Sequence, residues 1–370
     1  MHTYVDEGYS LFSAHSWTML DSHKPKNILI TRLSAIGDCL LTIPLAVAAK
    51  QLWPECRIHW AVSCAASQFL QEHPAVDEVI KIPKVWLSSP RAWIGLRDEL
   101  RQLQCDLVMD PQGLTKSAML GWLSGAKLRV GFDRSHAREV APWCATHRVS
   151  RTQSHMVDTY LELLSPWKTI EPFMAQFEMP VYQAAAAVAD SKLEEFELPS
   201  SWVAINPGAG WTTRQWPTDR FAETARRIKI DHGLTSLVFW AGDNEKKMAE
   251  QIVAESRGTA RLAPVTSLLE MLELLRRCTL LLTGDTGPLH MASCIGTPCV
   301  SLHGVTWGDE SGPYGNEHRI VQSPILPEGK LQRKGENSSM RAITVNSVMA
   351  ACDDLLNAIS SGVNSHRRAC

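Results

Sequence analysis

The chain of 370 residues is too long for one ordinary domain and long enough for two of about 150 residues each. With 45% hydrophobic and 21% charged residues and a formal net charge of −2, the composition excludes a disordered or fibrous chain. It also gives no global reason to bind a polyanion, so nucleic acid is not an expected partner.

Residues 1–25 are polar and mixed, with no basic stretch leading into an apolar one, so no signal peptide is read. They are set aside as an unassigned N-terminal extension. The longest apolar run, Cys39 to Ala49, falls far short of the roughly 20 residues that span a bilayer. An integral membrane protein is not expected, and peripheral attachment stays open. The ten cysteines form no CxxC pair and sit mostly in apolar segments, the pattern of free thiols in a reducing cytoplasm.

From Asn27 the chain alternates. "NILITR" is a short, largely β-branched run, and a helix over Asp38–Leu52 follows a Ser/Gly turn. "RIHWAV", "EVIKI", "DLVMD" and "LRVGF" repeat the strand pattern, with helices near Ala65–Gln71, over Arg91–Leu103 and over Thr115–Leu123 between them. Strands spaced by helices imply a parallel, doubly wound sheet. Ser165 to Ser201, with four prolines and a polyalanine stretch, reads as a linker or domain boundary. A second series then runs through "WVAINPG", "SLVFWAG", "TLLLTGD" and "PCVSLHG", with helices over Asp219–Asp231, Glu245–Ser256 and Gly287–Cys294. A last helix covers Val345–Ile359. The expected organisation is α/β, with Rossmann-like domains over residues 26–180 and 181–345, then a C-terminal helix and polar tail over residues 346–370.

Ligands of open α/β sheets sit beyond the carboxyl ends of strands. Four places there carry chemistry. In "SAIGD", Gly37 permits a tight turn and Asp38 falls at or just inside the helix start, where an N-cap or dipole-complementing carboxylate and a functional base are both open readings. In "LLLTGDTGPLH", the run Asp285, Thr286, Gly287 opens a helix whose free N–H groups suit a diphosphate, with His290 one turn on as a further donor; helix capping is the alternative. In "NPGAGWTTRQWP", Arg214 suits a phosphate leaving group while Thr212, Thr213 and Trp216 shape a pocket, or Arg214 simply stacks on Trp216. In "FWAGDNEKK", Gly242 turns the chain and Glu245 could accept ribose hydroxyls or act as a cap. No GxGxxG follows the first strand, and there is no Walker lysine, HExxH or zinc spacing, so neither a nicotinamide cofactor nor a metal is called for.

Taken together, "ILITRLSAIGDCLLTIP", "DLVMDPQGLTKSAMLGWLSGAKLRVGFDRSHARE", "HMVDTYLELL", "NPGAGWTTRQWP" and "LLTGDTGPLHMASCIGTPCVSLHG" resemble the ADP-heptose:lipopolysaccharide heptosyltransferases, glycosyltransferase family 9. The resemblance runs from about Lys26 to about Ile359. It implies the GT-B architecture of two Rossmann-like domains facing across a cleft. It also implies an inverting, metal-independent glycosyltransferase that moves heptose from ADP-heptose to a glycolipid or lipopolysaccharide-core acceptor, at the cytoplasmic face of the inner membrane. By the same resemblance Asp38 is the general base, and Thr286, Gly287 and His290 bind the diphosphate. Asp285 lies near the donor sugar, Glu245 binds the ribose, and Arg214 stands where the family usually has a lysine. On the acceptor side, Lys84 to Arg138 holds nine Lys/Arg against five Asp/Glu, a bias that suits an acidic glycolipid, with Lys116, Arg134 and Arg138 as its candidate ligands. The rival readings are a GT-B sugar-nucleotide epimerase and a noncatalytic sugar-nucleotide-binding protein.

Overall fold

The computed structural model describes residue 20 and residues 23–63, 65–83, 85–167, 174–325 and 335–361. Most of the N-terminal extension and residues 362–370 of the polar tail lie outside the described residues.

The first six strands are β1 (Asn27–Thr31), β2 (Arg57–Val62), β3 (Glu78–Lys81), β4 (Leu107–Asp110), β5 (Leu128–Phe132) and β6 (His147–Val149). They form one parallel sheet in the order β3-β2-β1-β4-β5-β6. A second parallel sheet holds β7 (Trp202–Asn206), β8 (Thr235–Val238), β9 (Ala260–Leu262), β10 (Leu280–Gly284), β11 (Cys299–His303) and β12 (Arg319–Gln322). Its order, β12-β11-β10-β7-β8-β9, is the same winding repeated. The inner strands are mostly apolar because helices cover both sheet faces, and β7, β10 and β11 are buried at every residue, their few polar side chains included.

Each sheet reverses its strand order at one place, between β1 and β4 in the first and between β7 and β10 in the second. At such a switch point the loops diverge to opposite faces and leave a crevice. The loop carrying Asp38 follows β1. The Asn206 and Asp285 loops follow β7 and β10.

The helix Ile36–Leu52 lies between the two halves. It packs on Met156–Leu161 and on Gly287–Cys294, and nearly all its residues from Cys39 to Ala49 are buried, Pro44 included. One apolar cluster therefore joins Ile28, Leu41 and Ile43 of the first half to Leu281, Leu289 and Met291 of the second.

The structure corrects several sequence expectations. The helix Ile36–Leu52 starts two residues earlier than expected, so Asp38 is its third residue, just inside the start, and caps it from there by accepting the Ala35 N–H. The polyalanine stretch is not linker but the helix Gln183–Glu195, which packs on Leu268–Arg277, a helix the sequence reading passed over. Each series runs one strand further than expected, to β6 and to β12, and the second also contains β9 between β8 and β10; all three are short edge strands. Segments such as "HRV" and "ARL" are too short and too charged to show a strand period.

Candidate active site

At the second switch point the strand ends are tied by a hydroxyl and amide network. Asn206 Nδ2 donates to Thr283 Oγ1 at 3.2 Å and to the Gly208 carbonyl at 3.2 Å, while Thr283 Oγ1 donates to the Asn206 carbonyl at 3.0 Å. Thr286 Oγ1 lies 3.1 Å from Thr283 Oγ1. Thr286 is the N-cap residue of Gly287–Cys294, yet its hydroxyl makes no capping bond. It is turned to this network, and the N–H groups of the helix start are not covered by it.

Asp285 is buried at the centre of this loop. Its Oδ2 lies 3.1 Å from Arg214 Nη1 and its Oδ1 3.6 Å from His290 Nε2. Burial alone would raise the carboxyl, but the His290 ring and the Arg214 guanidinium outweigh it and hold Asp285 well below the usual carboxylate range. Asp285 is thus an anion that orients two groups, Arg214 and His290. The Arg214 guanidinium also lies 4.1 Å from the ring centroid of Trp211. The expected stacking on Trp216 does not occur, because Trp216 is buried in the core against Phe221 and donates from Nε1 to the Ile343 carbonyl at 3.0 Å. Trp216 therefore shapes no pocket. Thr212 and Thr213 form a single 3-10 turn with Arg214, Thr212 exposed and Thr213 buried.

Glu245 is the fourth residue of the helix Gly242–Glu255, and its Oε2 accepts from the Ala241 N–H at 2.9 Å. Gly242, at φ +69°, makes the turn that the sequence required of it. A Cβ on Gly208 would come within 2.3 Å of the Glu245 carboxyl carbon, so the carboxyl rests against the β7 loop. Burial raises its pKa.

Asp38 faces this assembly from the other domain. Its Oδ1 pairs with Arg32 Nη2 at 2.9 Å and its Oδ2 accepts from the Ala35 N–H at 3.1 Å. The side chain remains 42% exposed. Gly37 is not one of the glycines with left-handed backbone, so the expected turn role is wrong. Its hydrogen is needed for a different reason: a Cβ there would stand 2.2 Å from His290 Cδ2. The residue before the aspartate thus touches the ring of His290, and the two helix starts meet across the crevice.

Lys116, Arg134 and Arg138 are all exposed and lie beyond the ends of β4 and β5. The Arg134 guanidinium sits 4.7 Å from the Trp143 ring centroid. The Arg138 N–H donates to the Gly113 carbonyl at 2.8 Å. The loop after β4 adjoins the loop that leads to Asp38, since Gln112 Oε1 accepts from the Leu33 N–H at 2.6 Å, and Arg138 is tied to it through Gly113.

Residues 93–340 match the profile of glycosyltransferase family 9 (heptosyltransferase). The chain belongs to that family. Lipopolysaccharide heptosyltransferase 1 of Pseudomonas aeruginosa is 27% identical over 317 residues, covering 81% of this chain and 85% of that protein. Among solved structures, a glycosyl transferase family 9 protein from Veillonella parvula superposes with a TM-score of 0.75 at 21% identity, covering 90% of this chain and 97% of that one. E. coli heptosyltransferase WaaC with ADP-2-deoxy-2-fluoro heptose superposes at 0.69 with 22% identity, covering 89% and 99%. These likenesses place the two sheets in the GT-B fold.

In this family 9 glycosyltransferase, several groups at the two switch points went unread in the sequence. Arg32 stands in the sequence only as the end of an apolar strand run. Asn206 and Thr283 were read as strand residues, although a polar residue at the end of a buried strand is itself a signal. Asp110, the buried last residue of β4, is pushed up to about 6 by burial and accepts from the Gln112 and Gly113 N–H groups at 3.2 and 3.0 Å. His303, buried behind Asp285, is pushed down to about 4 by burial. Among the described residues no group of three or more His, Cys, Asp or Glu could hold a metal ion, and no helix is long and apolar enough to cross a membrane.

Proposed function

We propose that this glycosyltransferase moves heptose from ADP-heptose to a lipopolysaccharide-core-type glycolipid by a single inverting displacement without a metal, with Asp38 as general base. The observation that carries the reading is the meeting of Asp38, through Gly37, with the His290–Asp285–Arg214 cluster of the opposite domain. A donor held on the second domain and a base held on the first are what an in-line attack needs. The donor class comes from the WaaC structure with a fluorinated ADP-heptose and the acceptor class from the family.

In this mechanism the Asp38 carboxylate takes the proton of an acceptor hydroxyl as that oxygen attacks the anomeric carbon. The bond from that carbon to the diphosphate oxygen breaks, and ADP leaves with the electron pair. Arg214, His290 and the N–H groups opened by Thr286 and Gly287 stabilise the departing charge. Glu245 accepts the ribose hydroxyls, and Thr212, exposed on the turn that carries Arg214, lines the approach with the buried Thr213 behind it. Lys116, Arg134 and Arg138 engage the acidic groups of the acceptor. Peripheral contact with the cytoplasmic face of the inner membrane is supported by Ile94, Trp122 and Trp143, which are 46%, 55% and 61% exposed on helices near these basic side chains.

The test is a pair of measurements. Calorimetric titration with ADP, UDP and GDP in EDTA should show preference for ADP, lost in Arg214→Ala. With ADP-heptose and acceptor, Asp38→Asn should lose about two or more orders of magnitude in turnover while binding ADP as before. Donor consumption without acceptor would favour an epimerase, and wild-type turnover in Asp38→Asn would remove the base.

A further inference from the structure

Arg32, the residue immediately after β1, is an arginine in an expensive position. Its side chain is 6% exposed, and its Nε has no hydrogen-bond partner. Taking a guanidinium out of water costs several kcal/mol unless its partners are well placed, and an apolar side chain of similar length would fill the site at lower cost. What the arginine holds is therefore informative. Nη2 reaches Asp38 Oδ1 at 2.9 Å, Nη1 donates to the Pro111 carbonyl at 3.2 Å, and the guanidinium lies 5.1 Å from the centroid of the Tyr160 ring. Both oxygens of Asp38 are consequently fixed, one by Arg32 and one by the Ala35 N–H. A carboxylate oxygen has two lone pairs, so each keeps one for a substrate proton. The carboxylate cannot rotate without breaking both bonds.

The second guanidinium contact points to the acceptor side. Pro111 opens the loop Pro111–Gly113. That loop returns the grip, since Gln112 Oε1 accepts from the Leu33 N–H at 2.6 Å, and it holds Arg138 through the Gly113 carbonyl at 2.8 Å. The far side of Arg32 is anchored too, with its own carbonyl accepting from Trp60 Nε1 at 3.2 Å.

We infer that Arg32 is a positioning residue for the transfer reaction: it locks the Asp38 carboxylate to the end of β1 and to the loop that carries the acceptor side, so that the base is already aimed when the acceptor arrives. This rests on Asp38 acting as the base, and it assigns Arg32 no contact with either substrate.

The test is a double-mutant cycle in turnover, with ADP affinity as control. Arg32→Gln should lower kcat by about 10- to 100-fold, with the donor KM and ADP affinity within about twofold of wild type. Arg32→Lys keeps the charge but not the planar fork that reaches two acceptors at once, and should recover part of the loss. In an Asp38→Asn background, Arg32→Gln should cost nothing further, because its effect runs through that carboxylate. A loss of the same factor in both backgrounds, or wild-type kcat in both Arg32 variants, would overturn the positioning role while leaving the base in place. Wild-type turnover in Asp38→Asn would overturn the base and this inference together. If Arg32→Gln does not fold, the same cycle run with Arg32→Lys decides, with a loss present only beside an intact Asp38 as the supporting result.

Discussion

Gly37 shows how a residue can matter for the atom it lacks. Its neighbour Asp38 carries the proposed chemistry, but the glycine sets how closely the two domains approach, because a methyl group would overlap the His290 ring at 2.2 Å. The ring cannot retreat freely, since it is buried and engaged with Asp285 at 3.6 Å. Gly37→Ala should therefore overpack the crevice, lowering the unfolding free energy in urea by about 1–3 kcal/mol. Turnover should fall with it as His290 is pushed from Asp285. Unchanged stability and turnover would mean that the two helix starts move apart easily.

At the scale of the element, the helix Gly287–Cys294 separates stability from binding. Thr286, at its N-cap, directs its hydroxyl to Asn206 and Thr283, and the first N–H groups are available to an anion. A carboxylate at that position would suit the helix dipole and would compete with a bound diphosphate. Thr286→Asp should thus leave the urea midpoint near wild type and weaken ADP binding by about tenfold or more. ADP affinity kept at the wild-type level would remove this helix start from the donor site. The strand ends around it were readable because a buried apolar run stopping at Thr-Gly-Asp-Thr-Gly is a local pattern. The network that joins β7 to β10 was not, since Asn206 and Thr283 stand 77 positions apart.

For the whole molecule, the shared apolar cluster and contacts such as Tyr314 Oη donating to Asp158 Oδ1 at 2.7 Å and His155 Nε2 to the Gly312 carbonyl at 3.2 Å join the two halves. Acidification should strain this unit. Burial pushes His136 and His303 from the usual 6.5 down to about 4, and lowers His59, His73 and His155 as well. The unfolded chain takes up protons near 6.5 that the folded chain refuses until about 4 on His136 and His303, so stability declines as pH falls through that window. Asp110 works in the opposite direction. Raised from 3.8 to about 6 by burial, it binds its proton first in the folded state and offsets part of the loss. The unfolding free energy from urea melts should decline between pH 6.5 and 4, less steeply in His303→Gln and more steeply in Asp110→Asn. A rise in stability over that range would contradict the burial of these imidazoles.

The sequence by itself determined the alternation of strand and helix, the doubly wound class, and the places where Asp38, Arg214, Glu245 and the Asp285–His290 run would stand. Those features rest on residue type and on spacing within a single turn or strand, which local sterics and apolar burial decide. Only the tertiary structure decided that Asp285 would hold Arg214, that Arg32 would grip Asp38, that Gly37 would meet His290, and that a polyalanine tract would be a packed helix. It also decided the edge strands β6, β9 and β12, whose three or four residues form only because a neighbouring strand already offers its hydrogen bonds. The partners of Asp285, of Gly37 and of the edge strands are brought up by sheet winding and domain packing and are not encoded in the neighbouring residues, while the Arg32–Asp38 pair closes across a single turn and only its anchor on the Pro111 carbonyl comes from a distant strand.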